Sequence, residues 1–282
     1  NITVVTGYAS EQIQNSIVGK DLKYVYQAEQ LGTANAVQTA APNLDSNGIT
    51  LVLYGDVPLI STKTVLSTLK VVNNNTMGLL TVVLEKPEGY GRIVRDRKGD
   101  ICGIIEQKDA MPQELEIQEV NTGVMAISTN LLQKWLPQIG NDNAQNEYYL
   151  TDLISIANKA GIKIEAVNPG TPEEVKGVNT RKQLSKLERF YQQKQADRLM
   201  VNGATLADPS RVDIRGTIFC DVDTFIDVNT VFEGEVKLGK NVSVGPNCLI
   251  TESSIGDNVK IKANTIIENS TICNDVEVGP FA

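Results

Sequence analysis

Apolar and polar positions follow one spacing up to about residue 203 and another beyond it. In the first part, short apolar runs of strand character are separated by stretches of helical spacing. Ile2 to Thr6, Lys23 to Tyr26, Ile49 to Tyr54, Met77 to Leu84, Ile101 to Ile105, Glu119 to Ile127 and Lys163 to Val167 read as strands. The pattern predicts helices beginning at Ser10, at Thr33 as an N-cap, at Ser61, at Ser128 and at Thr151, the lone Trp135 falling in the core. Strand and helix alternating in this way is the signature of an α/β domain. The run Ile49 to Tyr54 carries no charge, which predicts a strand buried on both faces of a parallel sheet.

A long helix follows from about Thr180 to Val201, with Leu184, Leu187, Tyr191 and Leu199 on its apolar face and Gly203 as its stop. It is expected to be an interdomain strut. From Ile214 the apolar positions recur every six residues, through Cys220, Ile226, Phe232, Leu238, Val244 and Ile250, and then through Ile255, Ile261, Ile267, Ile272 and Val278 with two intervals of five. Such hexads predict a parallel solenoid in which small apolar side chains stack inside and each coil covers its neighbour.

Composition narrows the chemistry. At 282 residues the chain suits two domains, and 41% hydrophobic with 21% charged residues is an ordinary globular mixture. No apolar run approaches the length of a membrane span. A net charge of −8 argues against a nucleic acid or an anionic membrane as partner, while anionic small substrates stay compatible if a divalent cation offsets the charge. Four scattered cysteines form no CxxC pair, so neither a zinc site nor a disulfide framework is expected, and a reducing cytoplasm fits. With no histidine, Ser-His and Cys-His catalysis are excluded from this stretch of chain. The chain begins without Met inside a strand-like run and stops inside a repeat, so it is expected to be a fragment.

Several positions carry candidate chemistry, each with a plainer alternative. Gly55 and Asp56 follow the Ile49 to Tyr54 strand, and Pro58 stops its pairing, so the Asp56 carboxylate stands at a carboxyl edge where α/β sheets bind metals and phosphates. Taken alone, a solvated turn aspartate is the commoner reading. Gly32 and Thr33 open an Ala-rich helix whose free N–H groups suit a phosphate or a base edge; a plain helix cap is the alternative. Gly89 and Gly91 around Tyr90 permit close backbone approach, and Glu106 and Asn121 suit sugar hydroxyls or an amide, or else are surface residues. Asn179 is a helix cap or a ligand. The polar and aromatic stretch from Asn141 to Asp152 suits a loop over a cleft.

Taken together, QAEQLGT (27–33), YGDVPL (54–59), GYGRI (89–93), IEQKDA (105–110), VNTG (120–123), NEYYLTD (146–152) and GVNTRKQLSKLE (177–188), followed by the hexads, resemble one family along essentially the whole chain. It is that of the bifunctional bacterial enzymes N-acetylglucosamine-1-phosphate uridylyltransferase / glucosamine-1-phosphate N-acetyltransferase. The resemblance implies a Rossmann-like nucleotide-diphosphosugar transferase domain (residues 1–178), a linker helix (179–202) and a left-handed parallel β-helix (203–282). It implies that Gln27, Gly32 and Thr33 recognise the uracil of UTP, that Tyr54, Gly55 and Asp56 lie at the nucleotide, and that Gly91, Glu106 and Asn121 hold the acetylated sugar. Asp56 and Asn179 are implied to bind Mg²⁺, Asn179 touching the sugar as well. The implied products are UDP-N-acetylglucosamine and pyrophosphate, from UTP and N-acetylglucosamine 1-phosphate, for peptidoglycan and lipopolysaccharide precursors. A second activity with acetyl-CoA, a homotrimer and a cytoplasmic setting are also implied.

Two parts of the family pattern are missing from this stretch. The glycine-rich phosphate loop, with its Arg and a following Lys, falls before Asn1, and the coils with the acetyltransferase His and the acetyl-CoA contacts fall beyond Ala282. The bare chain is therefore expected to release little or no pyrophosphate. Alternatives are a pyrophosphorylase of other base or sugar specificity and a non-catalytic regulatory subunit of the same layout.

Overall fold

The structure, a computed structural model, describes residues 1–17, 19 and 21–282. The chain divides into two compact units, Asn1–Val178 and Asn179–Ala282.

The first unit opens with β1 (Ile2–Thr6), α1 (Ser10–Ser16), β2 (Leu22–Tyr26) and α2 (Thr33–Ala40). It continues through β3 (Ile49–Val52), α3 (Thr62–Lys70), β4 (Thr76–Val83), β5 (Arg92–Arg95), β6 (Ile101–Ile105) and α4 (Pro112–Leu115). It ends with β7 (Glu119–Ser128), α5 (Thr129–Trp135), α6 (Asp152–Lys159) and β8 (Lys163–Val167). A mixed sheet runs in the order β6-β5-β7-β4-β8, with β3 also on β7, and β1 and β2 form a separate parallel pair. Strand β4 is buried on both faces because its side chains alternate between two clusters. Met77 and Leu79 join Met125, Ile127, Leu132, Trp135, Leu153 and Ile154 on one side. Leu80 and Val82 join Val120, Val124 and Val175 on the other.

The expectation for Ile49 to Tyr54 is corrected. The strand is shorter, pairs antiparallel with β7 (Leu51 beside Ala126), and leaves Ile49 and Leu53 about half exposed. β7 is its one strand partner among the described residues, so one edge and part of its apolar surface stay open. An uncharged run does not distinguish a central parallel strand from such an edge strand. The first helix is capped by Ala9 rather than Ser10, whose hydroxyl hydrogen-bonds the Thr6 hydroxyl at 2.7 Å. The second is capped by Gly32, Thr33 being its first residue.

In the second unit, α7 (Arg181–Val201) is capped by Thr180, whose Oγ1 accepts from the Gln183 N–H at 3.2 Å, while Gln183 Oε1 accepts from the Asn179 N–H at 2.8 Å. This reciprocal box displaces Asn179 from the cap position. Of the expected face of α7, Leu187 and Leu199 are buried, joined by Gln192 and Ala196, while Leu184 and Tyr191 are exposed. Gln192 replaces an apolar contact with a paired polar one: its side chain donates to the Ile214 carbonyl at 3.0 Å and accepts from the Ile214 N–H at 2.7 Å. Ala196 and Leu199 share one core with the apolar hexad positions, so the helix expected as a strut packs within the second unit.

Beyond α7, every strand pairing among the described residues is parallel; after a first step of 20, Thr205 with Phe225, paired residues lie 18 or 17 apart, as in Val231 with Leu249 and Ser243 with Lys260. That step is three hexads, or three with one shortened by a residue. The hexad residues Ile226, Phe232, Val244 and Ile250 are almost wholly enclosed. Corners are turned by residues with positive φ, among them Asn229, Asn241, Asn247, Asn258 and Asn264. Asparagine tolerates that region better than other side-chain-bearing residues.

Candidate functional site

The positions singled out in the first unit lie at the ends of different elements, and most of them join into one closed run of contacts. Gln27, just past β2, is buried, and its amide donates to Asn35 Oδ1 at 2.7 Å in α2. Gly32 caps α2 with a φ of +116° that disfavours any side chain. A Cβ on Gly32 would lie 2.6 Å from the Tyr148 carbonyl oxygen. Tyr148 packs there because its N–H donates to the Leu31 carbonyl at 2.8 Å, while the Ala34 N–H donates to the Tyr148 carbonyl at 2.9 Å. The free N–H groups expected at the start of this helix are thus partly taken by the chain itself. Thr33 Oγ1 accepts from the Leu150 N–H at 3.0 Å.

Tyr54 lies two residues past β3, and its ring packs against Gly123. Gly123 has a φ of +83° and a Cβ there would stand 2.6 Å from Tyr54 Cδ2. Burial pushes the Tyr54 phenol up, the Thr33 side chain opposes this, and the Glu106 and Asp56 carboxylates add to it. The backbone of Gly123 is held from the other side, its N–H donating to Asn121 Oδ1 at 3.0 Å. Asn121 donates its own N–H to the Gly91 carbonyl at 2.9 Å.

Gly91 in turn faces Glu106. A Cβ on Gly91 would lie 3.2 Å from Glu106 Oε2 and 2.8 Å from Ile104 Cγ2, so only glycine leaves the carboxylate this close to the backbone. The Thr151 hydroxyl donates to Glu106 Oε1 at 3.1 Å. Burial is the main cause that raises the Glu106 carboxyl; Thr151 opposes it, and Asp109 and Asp152 raise it further. Asp152 is itself raised by burial and by Asp109. Nearby, burial first and then the carboxylates of Asp109, Glu106 and Glu147 push the Tyr149 phenol up to about 12.

Gly55 and Asp56 stand apart from this run. A side chain on Gly55 would meet no atom within 4 Å, so the turn does not demand glycine; the position opens onto free space instead. Asp56 is exposed, and its carbonyl accepts from the Val178 N–H at 2.9 Å. Its Oδ2 lies 3.2 Å from where a Gly177 Cβ would stand. Asn179 is exposed and is the first residue of the second unit. Among the described residues, no group of three or more Asp, Glu, Cys or His side chains gathers to hold a metal. A single carboxylate is still compatible with Mg²⁺, which commonly takes one or two carboxylates and fills its shell with water and phosphate oxygens.

No protein-family model matches the chain. Direct comparison with known proteins is decisive. Bifunctional protein GlmU of Marinobacter nauticus is 47% identical over 281 residues, 100% of this chain and 62% of its own length. That of Idiomarina loihiensis matches equally, at 47% over 281 residues. That of Burkholderia vietnamiensis is 49% identical over 254 residues, 90% of this chain and 56% of its own length. The chain is a relative of bifunctional protein GlmU. It spans about 56% to 62% of the length of these GlmU proteins. A solved structure of UDP-glucose pyrophosphorylase complexed with UDP-glucose shares the fold, with a TM-score of 0.53 at 15% identity over 68% of this chain and 80% of that one. The family reached from the motifs is the one found, and the neighbour supports a Rossmann-like α/β architecture. Among the described residues no helix is long and apolar enough to cross a membrane.

The motifs do not mark every residue that shapes this run of contacts. Gly123, Tyr148, Leu150 and Thr151 fall within VNTG and NEYYLTD, but their residue types suggest no role. Their importance lies in backbone groups and in contacts between distant segments, which residue type alone does not signal.

Proposed function

We propose that the chain carries the uridylyltransferase part of a GlmU-type enzyme, which joins UTP and N-acetylglucosamine 1-phosphate into UDP-N-acetylglucosamine and releases pyrophosphate. The observation that carries this reading is the closed run from Gln27 and Gly32–Thr33 through Tyr54, Gly123, Asn121 and Gly91 to Glu106. It joins the residues matched to the uracil with those matched to the acetylated sugar.

In this reading the Gln27 amide and the backbone at Gly32 and Thr33 hold the uracil edge. Tyr54 forms a wall beside the nucleotide, and the open position at Gly55 lets phosphates approach the backbone. The Glu106 carboxylate and the Asn121 amide take the sugar hydroxyls and acetamido group, with Gly91 keeping the surface flat. The sugar phosphate attacks the α-phosphorus of UTP and pyrophosphate leaves, so the chemistry needs positioning and charge compensation rather than an acid-base side chain. That agrees with a chain without histidine. The exposed Asp56 carboxylate is the group suited to hold Mg²⁺, which would offset charge on the two anionic reactants. The assignment of Asn179 rests on the resemblance alone.

The second unit is read as a left-handed parallel β-helix, supported by the parallel 17- and 18-residue registers. With it come the family's trimer, the acetyl-CoA-dependent acetylation of glucosamine 1-phosphate and a role in supplying peptidoglycan and lipopolysaccharide precursors. Four free cysteines agree with a cytoplasmic setting.

The test supplies the full-length protein with Mg²⁺, a panel of nucleoside triphosphates and a panel of sugar 1-phosphates. Pyrophosphate release is expected to favour UTP with N-acetylglucosamine 1-phosphate, and a profile without that preference overturns the reading.

A further inference from the structure

Residues 148–150 belong to no strand or helix and Thr151 caps α6, yet the segment touches both ends of the site. Its backbone is tied to the start of α2 by three hydrogen bonds: Tyr148 N–H to the Leu31 carbonyl, Ala34 N–H to the Tyr148 carbonyl, and Leu150 N–H to Thr33 Oγ1. Three residues after the first tie, the Thr151 hydroxyl donates to Glu106 Oε1. Thr151 is almost fully buried, and Leu150 beside it is anchored in the core. The segment therefore has little freedom to move at one end without the other.

We propose that residues 148–151 form a strap that couples the base end of the site to its sugar end, with Thr151 as the positioning residue that aims the Glu106 carboxylate. This rests on the reading of Gly32–Thr33 and Glu106 as the base and sugar ends. The carboxylate has three single-bond torsions between its oxygens and the backbone, and few partners: Gly91 offers it no side chain, and Thr151 supplies the hydroxyl that fixes one oxygen. The other oxygen, 3.2 Å from the Gly91 Cβ position, is left free for a ligand hydroxyl. The charged groups that bear on Glu106 from the surrounding elements disfavour its charge: Asp109 from its own turn and Asp152 from α6; the phenols of Tyr54 and Tyr149 lie in the same cluster and are themselves raised by the Glu106 carboxylate. The Thr151 hydroxyl is the group that opposes them. Losing it should both loosen the carboxylate and favour its protonation, turning an acceptor for sugar hydroxyls partly into a donor.

The test uses Thr151→Val, which keeps the shape and removes the hydroxyl, and Thr151→Ser, which keeps the hydroxyl. Carboxyl carbon NMR on the glutamate-labelled chain, with Glu106→Gln to assign the signal, follows the Glu106 titration without any ligand. The midpoint is expected to rise in Thr151→Val and to stay near the wild-type value in Thr151→Ser. In the full-length protein, calorimetry is expected to show affinity for UDP-N-acetylglucosamine falling about tenfold in Thr151→Val, with affinity for UDP unchanged within about twofold, since one charge-assisted hydrogen bond is at stake. Circular dichroism confirms that both variants are folded. A folded Thr151→Val in which either the midpoint or the split between the two ligands stays as in wild type overturns the proposal. If the wild-type protein itself does not distinguish UDP-N-acetylglucosamine from UDP, the sugar-site reading falls, and the ligand-free titration alone then decides whether Thr151 holds Glu106.

Discussion

Asp56 and Gly123 show how differently single residues matter at this site. Asp56 is exposed and makes its backbone contact through a carbonyl that any residue would supply. Its side chain is therefore free to serve a ligand, and Asp56→Asn is expected to lower Mg²⁺-dependent turnover of the full-length enzyme about 100-fold or more. Steady-state rates across a Mg²⁺ titration measure this, with a melting temperature unchanged within error to show that the fold survives. Gly123 is the opposite case, a residue whose lack of a side chain is what the site uses. Any Cβ there faces both a positive φ and the Tyr54 ring. Gly123→Ala should cost about 1–3 kcal/mol of stability in urea unfolding, through strain and overpacking, and should displace Tyr54.

Among the elements, α7 and the strap owe their order to different sources. α7 has a weakly apolar face, and its start is defined by the reciprocal bonds of Thr180, Gln183 and Asn179. Thr180→Ala should therefore destabilise the helix by about 1 kcal/mol, seen as faster amide hydrogen exchange in its first turn. The strap has no repeating pattern and is ordered by hydrogen bonds to α2 and by Leu150 in the core. Its backbone donors and acceptors must find partners wherever they are buried, and here the partners come from the other side of the site. The NEYYLTD motif was visible in the sequence as a stretch suited to cover a cleft; which segments it would tie together was not, because those bonds join groups more than 100 residues apart.

For the whole molecule, charge and repetition set the predictions. Glu106 is raised chiefly by burial, so the folded chain keeps a proton there at pH values where the unfolded chain has released it. Where the native state binds more protons, stability falls as pH rises. The penalty appears as pH climbs from the ordinary glutamate range through the raised value and is complete above it. Glu106→Gln is therefore expected to show a smaller loss, or larger gain, of melting temperature than wild type between about pH 4 and pH 7. In the second unit, Asn229, Asn247 and Asn264 form a side-chain ladder with bonds of 2.8 and 3.2 Å between successive members. Asn247→Ala breaks both bonds and places a less tolerant residue at positive φ, at a cost of about 1–3 kcal/mol. Hydrogen exchange resolved by residue should show the loss in the second unit, with the sheet of the first unit unaffected.

Local spacing was enough to reveal the strands and helices of an α/β unit, the hexad period carried by the parallel strands beyond α7 and the family to which the motifs lead. Those features repeat at fixed intervals or depend on residue type, and both are properties of the chain itself. Tertiary structure decided what spacing leaves open. It made Ile49–Val52 an antiparallel edge strand, it took Asn179 out of the helix cap, and it gave Gln192 a buried backbone pair in place of an apolar neighbour. It also brought Gly91, Glu106, Gly123, Tyr54, Thr33 and Thr151 into one run of contacts. The physical reason is the same in each case: burial and hydrogen bonding depend on which segments meet, and an apolar run or a polar side chain is compatible with several partners until the packed chain selects one.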